Sequence, residues 1–258
     1  MIDSVLKFLQ QYHITIPLLI CLILLIIVLF IIYSPPRCLI GFLSKLYPDV
    51  LFSVDLPSNL RYVALTIDDF PNLHDLSISF RILEILRSYS ARCTFFTIGS
   101  HIEQYEDSPE IRTLFERVIA DGHEVSNHGW RDEKAVHLSQ VELEQQIIDT
   151  QELINHYTIS TNRWYRPGSG FFNRTMIQLC HRLGYRLVLG SIYPHDPQIP
   201  RAHLNSCFIE RKLYPGAIVI LHDRYATIET LKRLLPKIQK RNYHVVTLTQ
   251  LMALKTHE

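Results

Sequence analysis

Residues 61–72 read RYVALTIDDFPN. An apolar, β-branched run stops at two adjacent carboxylates, Asp68 and Asp69, with Pro71 two residues further on. Such a run reads as a strand, and its end carries polar residues of the kind that do chemistry. Six further runs of the same character lie at 94–98, 124–127, 164–166, 187–190, 217–221 and 245–248. Between the seven runs the apolar positions recur with helical spacing, at about 75–89, 109–121, 139–157, 173–183, 203–213 and 226–241. Ser139 and Asn173 precede two of these stretches as helix-starting residues, and Gly184 closes the second. Strands alternating with helices predict an α/β fold with a mainly parallel sheet. Periodicity alone does not separate an open sheet from a closed barrel.

The chemically suggestive residues follow the apolar runs: Asp68–Asp69, His128, Arg166, Asp196 and His222–Asp223. In parallel α/β folds the C-terminal ends of the strands share one rim, where active sites are built. Residues distant in sequence are therefore expected to converge there.

Upstream, Ile14–Tyr33 (ITIPLLICLILLIIVLFIIY) holds no charged residue. About twenty residues at ~1.5 Å rise cover about 30 Å, the thickness of a hydrocarbon core. The following SPPRCLIG offers no small-x-small cleavage site, so an uncleaved single-pass anchor is expected over 14–33. Pro17 is placed in the first turn of that helix, where its missing N–H costs little. The expected organisation is a tail over 1–13, the anchor, a linker over 34–59 and one domain over 60–258. That domain, roughly 200 residues, can bury a sizeable core. The net charge of +1 gives no reason to invoke nucleic acid. Five scattered cysteines lack metal-type spacing and read as free thiols, buried at Cys93 and Cys180. No internal repeat or low-complexity segment is visible.

Three segments carry candidate chemistry. Neighbouring carboxylates such as Asp68 and Asp69 repel unless a cation or proton intervenes, although a solvated strand-end turn would also accommodate them. In GHEVSNHGWRDE, His128 stands four residues before Asp132, a spacing that puts two ligands on one face of a helical turn. One imidazole and two carboxylates would suit Zn²⁺ or Mn²⁺; the alternative is an exposed or capping histidine. In GAIVILHDR, His222 beside a carboxylate would stay protonated near neutral pH and donate to a leaving group, unless the pair merely faces solvent.

Five segments in order resemble the motifs of polysaccharide deacetylases with a NodB-homology domain: TIDDFP, NHGWRD, RPGSGFF, YPHDP and VILHD. The similarity spans about residues 60–250. It implies a distorted (β/α) barrel of about seven parallel strands and removal of N-acetyl groups from sugars with one divalent metal ion, Zn²⁺ first, with Mn²⁺ or Co²⁺ as alternatives. Carried over by position, Asp68 matches the general base and His222 the general acid. Asp69 and His128 match metal ligands. Arg166 matches the arginine that orients the base, Asp196 the carboxylate that tunes the acid, and the backbone N–H near Ser169 the oxyanion donor.

The sequence departs from that pattern at three places. Asp132 stands where the family has its third metal ligand, usually His, with Glu133 and His137 as alternatives. Phe70 replaces a glycine after the Asp pair and would narrow the site or stack on a sugar ring. RPGSGFF has Ser169 where the family has an aromatic residue. The expected partner is an acetylated glycan or amino sugar; hydrolysis of another C–N bond and sugar binding without turnover are the competing expectations. Glycan chemistry favours an outward-facing domain, while Arg37 and Lys45 against Lys7 lean the other way by one charge.

Overall fold

The computed structural model describes residues 2–158 and 162–255, with side chains from residue 17 onward. The side chains of the expected tail (1–13) and of residues 14–16 of the expected anchor lie outside the described residues, as do residues 159–161 and 256–258. The chain divides into two units, Met1–Phe42 and Leu43–Glu258.

The first unit is dominated by helix α1 (Ile2–Tyr33). Because α1 starts at Ile2, Pro17 lies in the helix interior rather than in a first turn, and it removes one i to i−4 hydrogen bond there. Leu18 to Phe30 expose every large apolar side chain by roughly half or more. Among the described residues no single helix is long and apolar enough to cross a membrane; Pro17–Tyr33 together with α2 (Arg37–Leu46) passes only as a bent pair.

The second unit is an α/β assembly around one parallel sheet. Its strands are β1 (Val50–Leu51), β2 (Tyr62–Phe70), β3 (Cys93–Thr97), β4 (Glu124–Asn127), β5 (Trp164–Tyr165), β6 (Arg186–Val188), β7 (Ile218–His222) and β8 (His244–Val246). The order is β1-β6-β5-β4-β3-β2-β7, with β8 also pairing β2. All these ladders are parallel. Single bridges from Ile192 to Val219 and from Ser53 to Ala217 bring β7 back towards the segments beside β6 and β1, so the sheet curls into a half-barrel. The seven expected strands are all present. Val50–Leu51, inside the stretch expected as linker, adds an eighth on the β6 edge.

Helices α3 (Leu76–Ser88), α5 (Pro109–Ala120), α6 (Gln140–Tyr157), α7 (Arg174–Arg182), α8 (Ala202–Lys212) and α9 (Tyr225–Lys240) match the six helical stretches. Two short helices, α4 (Gly99–Glu103) and α10 (Leu248–Ala253), had too few residues to register as a period. Local chemistry sets the starts. Asp75 caps α3, Ser108 followed by Pro109 opens α5, and Ser139 with Glu142 forms a capping box on α6. Leu83 and Leu86 of α3, Leu114 and Phe115 of α5 and Leu231 and Leu234 of α9 bury themselves against β2 and β3. Strands covered on both faces read as unbroken apolar runs, which is why β2 was legible.

Register fixes the rim. Asp68 of β2 is the direct partner of His222 of β7. Thr97, Asn127 and Tyr165 align across β3, β4 and β5, which brings His128 and Arg166 out one residue later on the same edge.

Candidate active site

Successive side chains of a regular strand point to opposite faces, so Asp68 and Asp69 should diverge. They do not, because β2 carries an irregularity between Ile67 and Phe70 and Asp69 sits at φ 60°, the left-handed region. Both carboxylates consequently approach one imidazole: His128 Nε2 is 3.9 Å from Asp68 Oδ2 and 3.7 Å from Asp69 Oδ1. The bulge is held from behind by His101, whose Nδ1 is 2.9 Å from the Pro71 carbonyl and 3.2 Å from that of Asp69. A carbonyl only accepts, so the His101 proton sits on Nδ1.

Arg166 is 2% exposed and donates to Asp68 Oδ1 and, at 2.8 Å, to Thr66 Oγ1. Thr66 Oγ1 donates in turn to the Val219 carbonyl at 2.7 Å, and the guanidinium lies 4.0 Å over the Phe96 ring. Arg166 thus fixes one oxygen of Asp68 and leaves Oδ2 towards the site. The Arg166 carbonyl accepts from His128 Nδ1 at 2.6 Å. That places a proton on Nδ1 and turns Nε2 towards the carboxylates.

On the opposite side His222 is gripped twice by Asp196, which is 2% exposed. Oδ1 accepts from Nδ1–H at 3.0 Å and Oδ2 from the backbone N–H at 3.0 Å. Burial pulls the His222 pKa down, but the Asp196 hydrogen bond and charge, with Asp68 and Asp69, more than offset this and raise it to about 8. The ring is protonated at neutral pH. Burial likewise raises Asp69, yet His222, His128 and Arg224 together hold it below its usual range. Behind them Asp223 is 1% exposed, and burial pushes it up to about 7 against the Ser79 hydroxyl that donates to it. Its backbone N–H donates to the Asp68 carbonyl at 2.8 Å.

Asp68, Asp69, His128, Arg166, Asp196 and His222 are therefore brought together. Two expectations fail, those for Asp132 and Phe70. Asp132 does not join the pair, because Gly129 at φ 86° breaks the helical turn that the i, i+4 reading needed. Residues 129–130 instead bond to α4 and α6, through Gly99 N–H to the Gly129 carbonyl at 3.0 Å and Trp130 N–H to Gln146 Oε1 at 3.1 Å. Asp132 is left exposed, Glu133 accepts from Gln146 Nε2 at 2.8 Å, and His137 is exposed in a short turn at Ala135–His137. Phe70 is fully buried against Phe95 and Phe115, with centroids 4.4 and 5.7 Å away, so it is a core side chain and offers no face to a sugar. Ser169 is exposed at φ 65° in the turn Gly168–Gly170, and exposed Phe171 follows it.

As a metal centre the donor set fits in part. A carboxylate and an imidazole with Nε2 directed inward suit one divalent ion. Among the described residues no three His, Cys, Asp or Glu side chains form a metal-holding group, which leaves Asp69 and His128 as two candidate ligands.

Sequence reasoning missed Arg224, whose Nη2 lies 3.0 Å from Asp69 Oδ2, and the supports Thr66 and His101. Arg224 directly follows the His222–Asp223 pair, but that position carries no signal of where its guanidinium lands.

Residues 56–188 match the family described as Polysaccharide deacetylase. A peptidoglycan-N-acetylglucosamine deacetylase of Bacillus cereus is 29% identical over 218 residues, covering 82% of this chain and 98% of that protein. A CE4 family pseudoenzyme from Bacillus anthracis superposes with a TM-score of 0.69 at 25% identity, over 78% of this chain and 68% of its own. A family 4 acetyl xylan esterase from Clostridium thermocellum, in complex with a cobalt ion, gives a TM-score of 0.67 at 28% identity, over 76% and 92%.

Proposed function

Because the chain belongs to the polysaccharide deacetylase family, we propose that it hydrolyses the N-acetyl group of an acetylated glycan or amino sugar, releasing acetate and a free amine. The observation that carries this is a base and an acid on paired strands, Asp68 and His222, each oriented by its own buried partner, Arg166 and Asp196.

Asp68, anchored through Oδ1, takes the proton of the attacking water at Oδ2 as the water oxygen bonds to the acetamide carbon. His222 gives its proton to the nitrogen as the C–N bond breaks, since an amide anion would be a poor leaving group. The backbone N–H near Ser169 is assigned to the oxyanion that forms between these steps. Asp69 and His128 would hold one divalent ion, Zn²⁺ first, with Mn²⁺ or Co²⁺ as alternatives. When bound, such an ion supplies electrophilic polarisation of the acetamide carbonyl. Residues 14–33 anchor the chain in a bilayer, and the acetylated glycan places the catalytic unit on the outward face.

Acetate release from acetylated chito-oligosaccharides by the full chain in detergent tests this reading. Asp68→Asn should lower the rate by at least ~10²-fold with the thermal unfolding midpoint retained. Cleavage of small amides alone would reassign the substrate class. A second reading, sugar binding without turnover, is favoured by one observation, the exposed Asp132 at the position of a third ligand. Oligosaccharide binding with no acetate under any divalent ion would establish it instead.

A further inference from the structure

We propose that Arg224 is the resident cation of the Asp69–His128 pair and competes with a divalent ion for it; this rests on the assignment of those two residues as metal ligands. Asp69 is engaged at both oxygens. Oδ2 accepts from Arg224 Nη2 at 3.0 Å, while Oδ1 faces His128 Nε2 at 3.7 Å. The carboxylate is nearly buried, with 11% of its side chain exposed, so it has little water to share between two cations. A divalent ion entering this pair meets a guanidinium already on the same carboxylate, and two cations on one buried anion repel.

The competition has consequence because the site has only two candidate protein ligands among the described residues and Asp132 is exposed. Each missing ligand lowers the metal affinity against which Arg224 competes. Arg224 is also built to leave. Its side chain is 46% exposed, so the released guanidinium returns to water at small cost. Its backbone stays fixed, with its N–H on the His222 carbonyl at 2.8 Å and its carbonyl accepting from Thr227 N–H at 3.0 Å at the start of α9. Release is therefore a side-chain rotation that leaves His222 in place. Arg224 acts as a positioning residue, setting the metal affinity and holding Asp69 in register when the ion is absent.

The test is Zn²⁺ affinity by equilibrium dialysis, with Co²⁺ absorption as a second readout, on the full chain in detergent. Arg224→Gln should bind Zn²⁺ at least tenfold more tightly than the wild-type chain, Arg224→Lys should stay within about threefold of wild type, and Arg224→Gln with Asp69→Ala should lose the gain. Thermal unfolding of each variant checks that the fold survives. Equal or weaker binding by Arg224→Gln, binding by neither chain, or a gain that persists without Asp69 would each overturn the proposal. Acetate release is scored separately. Tighter binding without acetate sinks the deacetylase reading alone, and acetate release with unchanged affinity sinks only this inference.

Discussion

His222 carries its charge among three carboxylates, and the pH behaviour of the site follows from that. Its pKa in the folded chain, about 8, lies above its ordinary 6.5. Its contribution to stability is thus complete below about 6.5 and is lost as pH rises through about 8. As the proton donor it should impose an alkaline limb near pH 8 on kcat/KM, and Asp196→Asn should move that limb to lower pH by removing the largest favourable interaction. An alkaline limb unchanged by Asp196→Asn would reject His222 as the acid. Asp223 behaves in the opposite compartment of the same network. Its carboxyl is raised from 3.8 to about 7, so the folded chain binds a proton that the unfolded chain has released, and stability falls as pH rises across that window. Asp223→Asn keeps the shape without the ionisation and should flatten the stability profile between about pH 4 and about pH 7 in chemical denaturation. Asp69 shows the opposite sign to both: its lowered pKa adds stability above its ordinary 3.8 that disappears on acidification. The residue types of this network were legible in sequence. The cation on Asp69 was not, because an arginine after a strand has no periodicity that tells where its guanidinium lands.

At the scale of elements, the active edge depends on turns rather than on strand interiors. A Cβ on Gly216, at φ 80°, would lie 1.8 Å from the Val54 carbonyl oxygen, where the chain entering β7 crosses the segment after β1. Gly216→Ala should cost roughly 3 kcal/mol or more, measured by thermal or denaturant unfolding. Gly170, at φ 69°, has nothing within 4 Å of its would-be Cβ, so Gly170→Ala should cost only the backbone term of about 1–2 kcal/mol. Equal losses at the two sites would mean that overlap with Val54 is not what matters. Ser139→Ala, which removes the capping box of α6, should cost about 1 kcal/mol without affecting the distant Asp68. Helices α3 and α5 to α9 were readable because each has a repeating apolar face, and α3, α5, α6 and α7 also open on a capping side chain. The turn after β4 was misread for the opposite reason: His128 and Asp132 have helical spacing, but Gly129 takes a positive φ and α4 supplies the hydrogen bonds that a helix would have supplied.

For the whole molecule, the two units pose separate questions. The second unit closes its sheet with one short strand, Val50–Leu51, and two single bridges, contacts too small to leave a period in the sequence. The N-terminal unit is a helix whose apolar side chains face outward from Leu18 to Phe30, a surface that water does not favour. With an anchor over 14–33, the full chain should sediment with membranes in high salt and be released by detergent. In sealed vesicles an outward-facing catalytic unit should be cut by external protease without permeabilisation. A chain that stays in the supernatant would remove the anchor from the account.

By itself the sequence determined the alternation of strands and helices, and with it the rim on which Asp68, His128, Arg166 and His222 meet, because apolar period and capping chemistry are local properties. Tertiary structure alone decided the rest. It turned Asp68 and Asp69 to the same side through a left-handed residue, sent Phe70 into the core, left Asp132 in solvent and set Arg224 on Asp69. These outcomes depend on which atoms from distant segments fill the space and satisfy the hydrogen bonds around each residue, and no spacing along the chain encodes that.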